Sequence, residues 1–324
     1  MSSQPMSRTS STNSAPDQGQ SPASRPGPAL PPGLYVVATP IGNLGDLSPR
    51  AQHILSHADR VVAEDSRMAR RLLQHFGART PVETYNDHNG ARVRPGLLQA
   101  LADGASLALT SDAGTPLISD PGYKLVDEAR SAGLPVHAVP GPSAVIAALS
   151  VAGLPSDRFL FDGFLPPKSA ARRRALQELA PIPATLVFYE TANRLQAVLS
   201  DMAAELGDRT AAVARELTKM FEEVRRGRLS ELAAHYASAG APKGEIVLVV
   251  GPPDTETLHA DATAGLDDLL RERLASLRTR DAVDAVAAET GLPRKQVYAR
   301  ALELKSGDAS AASGHTGAKD EGRG

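Results

Sequence analysis

The chain has 324 residues and a nearly balanced charge, with 35 basic and 37 acidic side chains and a net charge of −2. This length is enough for two domains. The charge excludes a strongly basic nucleic-acid coat protein but leaves room for a local RNA-binding face. The absence of cysteine excludes disulfides, thiolate metal sites and cysteine nucleophiles. Because no apolar run is long enough to span a membrane, we expect a soluble, cytoplasmic protein with no membrane partner. We also expect no metal site.

The first half of the chain alternates short apolar runs with helical segments. Residues 1–32 are rich in Ser, Pro, Gly and Gln, which predicts a disordered extension. The apolar runs then predict strands at residues 34–39, 61–65, 82–85, 106–110 and 136–139. Cap residues and helix-stopping glycines predict helices at 48–57, 66–76 and 121–132. Another helix is predicted between the strand at 82–85 and residue 102, and a further one from the loop at 140–144 through residue 148. This alternation predicts an N-terminal α/β domain over residues 33–153.

Three loops of small residues follow strands of this domain. They read PIGNLGD at residues 40–46, SDAGTP at 111–116 and PGPSA at 140–144. In an open α/β sheet, ligands bind at the carboxyl ends of the strands, and small residues let them approach the backbone. Asp112 adds a carboxylate that can orient a ligand. The loops together predict a ligand site, and because none of them reads GxGxxG we reject a dinucleotide-binding fold.

The second half repeats the alternation. Residues 154–168 are interpreted as the crossing into a second α/β domain that covers residues 154–252. Strands are predicted at 184–189, 210–215 and 246–250, a hairpin arm at 222–226, and helices from Lys168 and at 193–206 and 229–237. Two α/β layers around one cleft are therefore expected.

A linker and C-terminal helical region are predicted over residues 253–305, followed by a disordered tail at 306–324. Helices at 266–277, 281–290 and 293–304 have the rhythm of a helix-turn-helix. The alternative interpretation is a small appended helical bundle. Between residues 265 and 305 we count 8 basic and 7 acidic side chains, so a basic DNA reader is excluded.

Two groups of cations are candidates for contacts with RNA phosphates. The first occupies one helix face, and the second opens the first helix of the second domain; they comprise Arg67, Arg70 and Arg71, and Lys168, Arg172, Arg173 and Arg174. The alternative for either group is an ordinary solvated helix surface.

Several motifs now occur together in one order. They are TPIGNLGD at 39–46, AEDSR at 63–67, TSDAGTPLISDPG at 110–122, VPGPSA at 139–144, FYE at 188–190, RELTK at 215–219 and KGE at 243–245. In this combination the chain resembles the ribosomal RNA small-subunit methyltransferase I family, a branch of the tetrapyrrole methylase superfamily. The resemblance covers residues 34–305, nearly the whole segment expected to be ordered.

This resemblance implies a fold, a reaction and partners. The fold would be two α/β domains of the tetrapyrrole methylase type with the cofactor between them, usually in a homodimer. The enzyme would use S-adenosylmethionine to methylate the ribose 2′-oxygen of a cytidine in small-subunit (16S) ribosomal RNA, either naked or in the assembled 30S subunit.

Matching motifs also imply cofactor-binding residues. They are Pro40, Asp112, Ala113, Gly114, Thr115, Pro116, Ile118, Ser143, Ala144, Glu190, Leu217 and Thr218. The tetrapyrrole enzymes usually carry Gly-Asp-Pro where this chain has Gly114, Thr115 and Pro116. That departure favours the RNA branch and leaves the role of Thr115 open.

A ribose hydroxyl is a poor nucleophile, so a residue that accepts its proton would help the transfer. Glu190, Glu216 and Lys219 are candidates because each follows a strand of the second domain. The alternative for each is a structural ion pair.

Two other functions are consistent with parts of the pattern. A methyltransferase acting on a tetrapyrrole or another small molecule would have the same fold and no use for the cations. A regulatory protein that binds nucleic acid through its C-terminal helices would need residues 264–305 to bind a duplex alone, against their near-neutral charge.

Overall fold

A computed structural model describes residues 30–253 and 265–313 of the chain. Most of the predicted N-terminal extension, most of the predicted linker and residues 314–324 of the predicted tail lie outside the described residues. The chain forms two compact units. The first contains residues 30–38, Ser48–Asp112 and Pro116–Pro140, and the second contains Thr39–Leu47, Ala113–Thr115 and the chain from Gly141 onward.

The first unit is built on a five-stranded parallel sheet in the order β3-β2-β4-β1-β5. Its strands are β1 (Gly33–Val37), β2 (Arg60–Ala63), β3 (Val82–Thr84), β4 (Ser106–Thr110) and β5 (Val136–Val139). Its helices are α1 (Pro49–His57), α2 (Ser66–His75), α3 (Gly90–Ala102) and α4 (Tyr123–Ser131). The central strand β4 is buried along its whole length, as expected for a parallel strand covered on both faces.

Local sequence explains where these helices begin. The Ser48 hydroxyl accepts a hydrogen bond from the Ala51 N–H, and Pro49 occupies the first helical position of α1. Asp65 caps α2 in the same way through the Arg67 N–H. Helix α4 begins at Tyr123, after the predicted start at residue 121, because Gly122 has a φ of 135°, which is not helical.

The second unit contains a mixed five-stranded sheet in the order β6-β7-β10-β8-β9. Only β6 and β7 pair in parallel, and the other neighbours are antiparallel. The strands are β6 (Phe159–Phe164), β7 (Thr185–Thr191), β8 (Thr210–Arg215), β9 (Glu223–Arg228) and β10 (Glu245–Val250). The helices are α5 (Ala144–Ala152), α6 (Ser169–Leu179), α7 (Leu195–Leu206) and α8 (Leu229–Ala239).

Each face of the second sheet has its own core. Helices α6, α7 and α8 pack on one face, where Leu186 and Phe188 of β7 are buried. Helix α5 packs on the other face with Val187. The sequence analysis placed α5 in the first domain. The helix packs instead in the second unit because its apolar side chains, Val145, Ala148, Leu149 and Ala152, are buried against the second sheet.

Three C-terminal helices form a separate small core. They are α9 (Leu266–Ser276), α10 (Thr279–Thr290) and α11 (Arg294–Ser313). Gly291, in the left-handed conformation, ends α10 and makes the turn toward α11. Helix α11 continues beyond the predicted end at residue 304. Among the helices described, none is both long and apolar enough to cross a membrane.

The loop before β2 is fastened to the start of β4 by one carboxylate. Asp59 Oδ2 accepts hydrogen bonds from the Ser106 N–H (2.7 Å) and hydroxyl (2.8 Å). These bonds favour the charged form and hold the pKa of Asp59 below its ordinary value of 3.8. This contribution to stability is therefore present above pH 3.8 and lost as the pH falls through the folded-state pKa.

We predict that Asp59→Asn lowers the free energy of unfolding at neutral pH by about 1 kcal/mol or less, because the carboxylate is partly screened by solvent. The deficit relative to wild type should shrink in acid, where wild-type Asp59 is also neutral. Urea denaturation at both pH values measures this. Asp157→Asn, which removes an exposed carboxylate, is the control. A deficit that is equal at both pH values would contradict the assignment.

Candidate functional site

The structure brings the three predicted loops together. The Thr39 N–H donates to the Gly114 carbonyl (2.8 Å), and the Gly114 N–H donates back to the Thr39 carbonyl (3.1 Å). The Thr115 hydroxyl donates to the Pro142 carbonyl (3.1 Å). The loops that follow β1, β4 and β5 are thus joined through hydrogen bonds. This also gives Thr115 a role, since it links the second loop to the third.

Gly114 lies where the three loops meet. It is buried and has a φ of 80°, a backbone conformation that residues with a side chain rarely adopt. A Cβ atom at this position would lie 3.3 Å from Ile41 Cγ2 and 3.8 Å from the Pro142 carbonyl oxygen. Glycine is therefore favoured here by the positive φ and by the close approach of Ile41 from the first loop.

The first loop is also anchored to the second sheet. Ile41 is buried in the core between α5 and that sheet, beside Leu217. The alternate residues of β7, β8 and β10 that face this core are Val187, Ala212, Ala214, Val247 and Val249. We call this side of the second sheet the loop face.

The predicted cofactor residues differ in their exposure to solvent. Asp112, Ala113 and Ile118 are exposed, and Thr115, Ser143, Ala144 and Thr218 are half-buried. The remaining residues are buried, and these are Pro40, Gly114, Pro116, Leu217 and Glu190. Their side-chain atoms have little access to solvent, so we expect the buried loop residues to contact a ligand chiefly through their backbone atoms.

The exposed Ile118 lies between two strained residues. Leu117 and Ser119 have φ values of 74° and 63°, and Ile118 is 41% exposed. Non-glycine residues in this conformation cost about 1–3 kcal/mol each and are often found at binding sites. The loop after β4 therefore presents an apolar side chain on a backbone that the surrounding structure holds in an unfavourable conformation.

A pocket of about 410 Å³ with charged walls lies in the first unit. Three carboxylates line it together with two cations, and these are Glu64, Asp87, Asp120, Arg94 and Lys124. Burial, followed by the nearby carboxylate of Asp112, raises the pKa of Glu64 above its ordinary value. Burial likewise raises the pKa of Asp120. Sequence reasoning missed Glu64 and Asp120, although Glu64 directly follows β2 and Asp120 belongs to the loop after β4.

Lys219 and Glu216 are ion-paired, which favours the structural alternative over their prediction as proton acceptors. The Lys219 ammonium lies 2.8 Å from Glu216 Oε1 and 2.9 Å from Glu245 Oε2. Burial alone would lower the pKa of Lys219, but hydrogen bonds to the two carboxylates outweigh it and raise the pKa. The hydrogen bond from Lys219 lowers the pKa of Glu216. Lys219 is thus held protonated and Glu216 is made a weaker base.

Glu190 is the third predicted base, and the structure places it elsewhere. Its side chain is fully buried, its Oε2 lies 3.2 Å from Arg194 Nη2, and its Oε1 accepts a hydrogen bond from the Thr191 N–H. Because side chains alternate along β7, Glu190 lies on the face with Phe188, opposite the loop face. Glu190 is therefore a buried ion-pair partner, which favours the structural alternative for this residue over a role as base or cofactor contact.

Tyr189, the neighbour of Glu190 in β7, faces the loop face. It packs on the loop-face core, with its ring 4.8 Å from that of Phe161 and 5.6 Å from that of Phe164. Sequence reasoning missed this aromatic group. The alternation of apolar residues along β7 was the signal that would have identified it.

Residues 33–233 match the family model of Tetrapyrrole (Corrin/Porphyrin) Methylases, and residues 260–305 match the RsmI C-terminal HTH domain. The chain is 50% identical over 281 residues to "Ribosomal RNA small subunit methyltransferase I" of Mesorhizobium japonicum, covering 86% of this chain and 95% of that protein. It is 53% identical over 277 residues to the protein of the same name from Erythrobacter litoralis, covering 86% and 97%.

The chain belongs to the ribosomal RNA small subunit methyltransferase I family. It is a methyltransferase of the tetrapyrrole methylase fold, which confirms the predicted family and fold class. A solved structure of cobalt precorrin-4 methyltransferase shares this fold, with a TM-score of 0.50 and 17% identity over 67% of this chain and 94% of that chain. The C-terminal match agrees with the helix-turn-helix rhythm in the sequence.

The predicted RNA-binding cations of this methyltransferase differ in accessibility. Arg172 is 4% exposed, lies 2.6 Å from Asp201 and donates to the Pro167 carbonyl, so its prediction as an RNA contact is wrong. Arg173 is half-exposed and paired with Glu205. Lys168 and Arg174 are exposed, and within the described residues neither side chain has a hydrogen bond or ion pair.

The arginines of α2 also differ. Arg67 is paired with Asp65 at 2.7 Å, and Arg70 donates to the Ser66 hydroxyl. Arg71 is exposed and has neither kind of partner in the part of the chain that the structure describes. Lys168, Arg174 and Arg71 therefore remain the more available phosphate contacts of the two predicted groups.

We predict that Arg172→Ala lowers the free energy of unfolding by about 3–5 kcal/mol, because it leaves the mostly buried Asp201 carboxylate without its partner. Arg174→Ala should change the free energy of unfolding by about 0.5 kcal/mol at most, because Arg174 is exposed. Urea denaturation of both variants measures the difference. Equal effects of the two substitutions would show that Arg172 is a surface residue after all.

Proposed function

We propose that this methyltransferase uses S-adenosylmethionine to methylate the ribose 2′-oxygen of a cytidine in small-subunit (16S) ribosomal RNA. The observation that carries the proposal is the joining of the three strand-end loops at Gly114 in a chain that belongs to this family. The names of the relatives support a ribosomal RNA substrate, and the resemblance supplies the cytidine and the 2′-oxygen. We also propose, from the same resemblance, a cytoplasmic homodimer.

Three features of the structure fit this cofactor. The loops approach closely around Gly114, where a side chain would fill the space. The Thr218 hydroxyl is buried and lacks a hydrogen-bond partner among the described residues, so it can bond a ligand. The carboxylates of Asp112 and Glu64 give the first unit a local negative charge, which suits a sulfonium cation.

Bound S-adenosylmethionine would supply an electrophilic methyl group, leaving as the neutral thioether S-adenosylhomocysteine while the proton of the ribose hydroxyl passes to solvent water. The residues of this chain would then act chiefly by position, because Glu190, Glu216 and Lys219 are all held in ion pairs. Alignment of two reactants can lower a barrier by about 7–11 kcal/mol. We propose that Asp112, Ala113 and Thr115 orient the cofactor, with Ile118, Ser143, Ala144 and Thr218 around it.

The C-terminal helices and the exposed cations fit the substrate side of the proposal. Lys168, Arg174 and Arg71 would contact phosphates, which position RNA without reading its sequence. Helices α9, α10 and α11 would add a second contact to the ribosomal substrate. Removing residues 264–324 should then weaken binding to the substrate without removing the cofactor loops.

The proposal is tested by incubating the protein with methyl-labelled S-adenosylmethionine and unmodified small ribosomal subunits. After digestion of the RNA, we expect the label in 2′-O-methylcytidine. Naked small-subunit RNA in a parallel reaction distinguishes the two forms of the substrate. Label in another nucleoside would contradict the site of methylation. No label in RNA, together with measured cofactor binding, would favour a small-molecule substrate.

A further inference from the structure

Two adjacent apolar side chains project from the loop between β8 and β9. Met220 is 90% exposed and Phe221 is 67% exposed. A single exposed apolar residue is common in proteins, but two in succession at the tip of a loop are a feature that calls for a partner. We call this loop, residues 216–222, the tip loop.

The tip loop is held rigidly. Glu216 and Thr218 have φ values of 51° and 66°, a conformation that costs about 1–3 kcal/mol at each non-glycine residue. The Lys219 ion pairs and the burial of Leu217 on the loop face maintain it. Met220 and Phe221 are therefore presented in a fixed place, which lowers the entropy cost of binding through them.

The tip loop is also adjacent to the proposed reaction site. Thr218 and Leu217 belong to the predicted cofactor set, and Met220 follows Thr218 by two residues. The first loop also contacts this segment, since a Cβ atom on Gly42 would lie 2.4 Å from the Lys219 side chain. A substrate that approaches the cofactor would thus meet Met220 and Phe221.

The strand that follows the tip loop is basic. Strand β9 is at the edge of the second sheet and carries Arg225, Arg226 and Arg228. Arg225 is paired with Glu223, and Arg228 donates to the Asp208 carbonyl. Arg226 is exposed, and its side chain has no hydrogen bond or ion pair within residues 30–253 and 265–313.

Arg226 projects toward the loop face. Val224 packs into the loop-face core, and side chains two apart in a strand lie on the same side. The guanidinium of Arg226 accordingly lies near Gly153, at the end of α5. Phe221 and Arg226 are five residues apart, and because Phe221 precedes β9 in a turn their separation is at most about 16 Å, the length of five extended residues. This distance is spanned by a few nucleotides.

We propose that the hairpin of the tip loop and β9 is an RNA-binding arm, in which Met220 and Phe221 contact an unpaired base beside the target nucleotide and Arg226 contacts a phosphate. The inference rests on the proposed function and adds residues that recognise the substrate. Single-stranded RNA is bound by aromatic side chains that stack on bases and by cations that follow the backbone. Apolar residues beside a reacting nucleotide can also hold its neighbours apart.

The arm is tested with Phe221→Ala and Arg226→Gln, using wild type and Arg130→Gln as controls. Arg130 is exposed on α4, away from the arm in sequence. Affinity for unmodified small ribosomal subunits is measured over a series of salt concentrations, and affinity for S-adenosylmethionine separately. We expect Phe221→Ala to weaken subunit binding about 5- to 150-fold, the range measured for one base stacked on an aromatic ring. Phe221→Tyr should restore it.

Arg226→Gln should weaken subunit binding and reduce the salt slope by about 0.7, the value for one phosphate contact to a single strand. Arg226→Lys should keep the slope, Arg130→Gln should leave affinity and slope unchanged, and cofactor affinity should be unchanged throughout. If wild type binds and methylates subunits while Phe221→Ala and Arg226→Gln bind like wild type, the proposed RNA-binding arm is overturned and the proposed function stands.

Sedimentation of the same variants tests another occupant of Met220 and Phe221. If Phe221→Ala lowers the molecular mass in solution and leaves subunit affinity intact, the residues cover a second copy of the chain and the RNA arm is overturned. If wild type itself does not bind or methylate subunits, the proposed function fails and the arm fails with it. These outcomes are distinguished by the wild-type reaction.

Discussion

The site depends on two backbone hydrogen bonds between Thr39 and Gly114. They join loops that are 75 residues apart in the chain and place Ile41 against Gly114. The third loop is added through the bond from Thr115 to Pro142. Because Ile41 is also buried on the second sheet, the same contact fixes the loops to the core of the second unit. The exposed residues of the site follow from this arrangement.

In the same unit, the tip loop is stabilised by side-chain ion pairs. There, strained backbone at Glu216 and Thr218 is maintained by Lys219, which bonds two carboxylates and packs over Gly42. Gly244 lets the Glu216 carboxylate pack against its backbone, because a Cβ atom at this position would collide with the carboxylate. The ion pairs that were candidates for chemistry are thus used to position a loop, and the accessible residues beside them are left to meet ligands.

The sequence predicts the elements and loops well because their causes are local. Ser48 and Pro49 begin a helix, the apolar run of β4 forms a buried strand, and small residues mark each ligand loop. Side-chain partners are not local. Arg172 bonds Asp201, and Lys219 bonds Glu245, across separations that no spacing rule reveals. For the same reason, a basic run at 172–174 could not be divided by sequence into one buried and two accessible arginines.

The most direct test of the cofactor site compares two glycines with nearly the same positive φ. Gly114 and Gly77 have φ values of 80° and 77°, but a Cβ atom on Gly77 would meet nothing within 4 Å. Gly114→Ala and Gly77→Ala therefore both place a side chain at a positive φ, and only Gly114→Ala disturbs the joined loops. Calorimetric titration with S-adenosylmethionine should show wild-type affinity for Gly77→Ala and at least tenfold weaker binding, about 1.4 kcal/mol, for Gly114→Ala. Equal affinity of the two variants would contradict a cofactor site built on these loops.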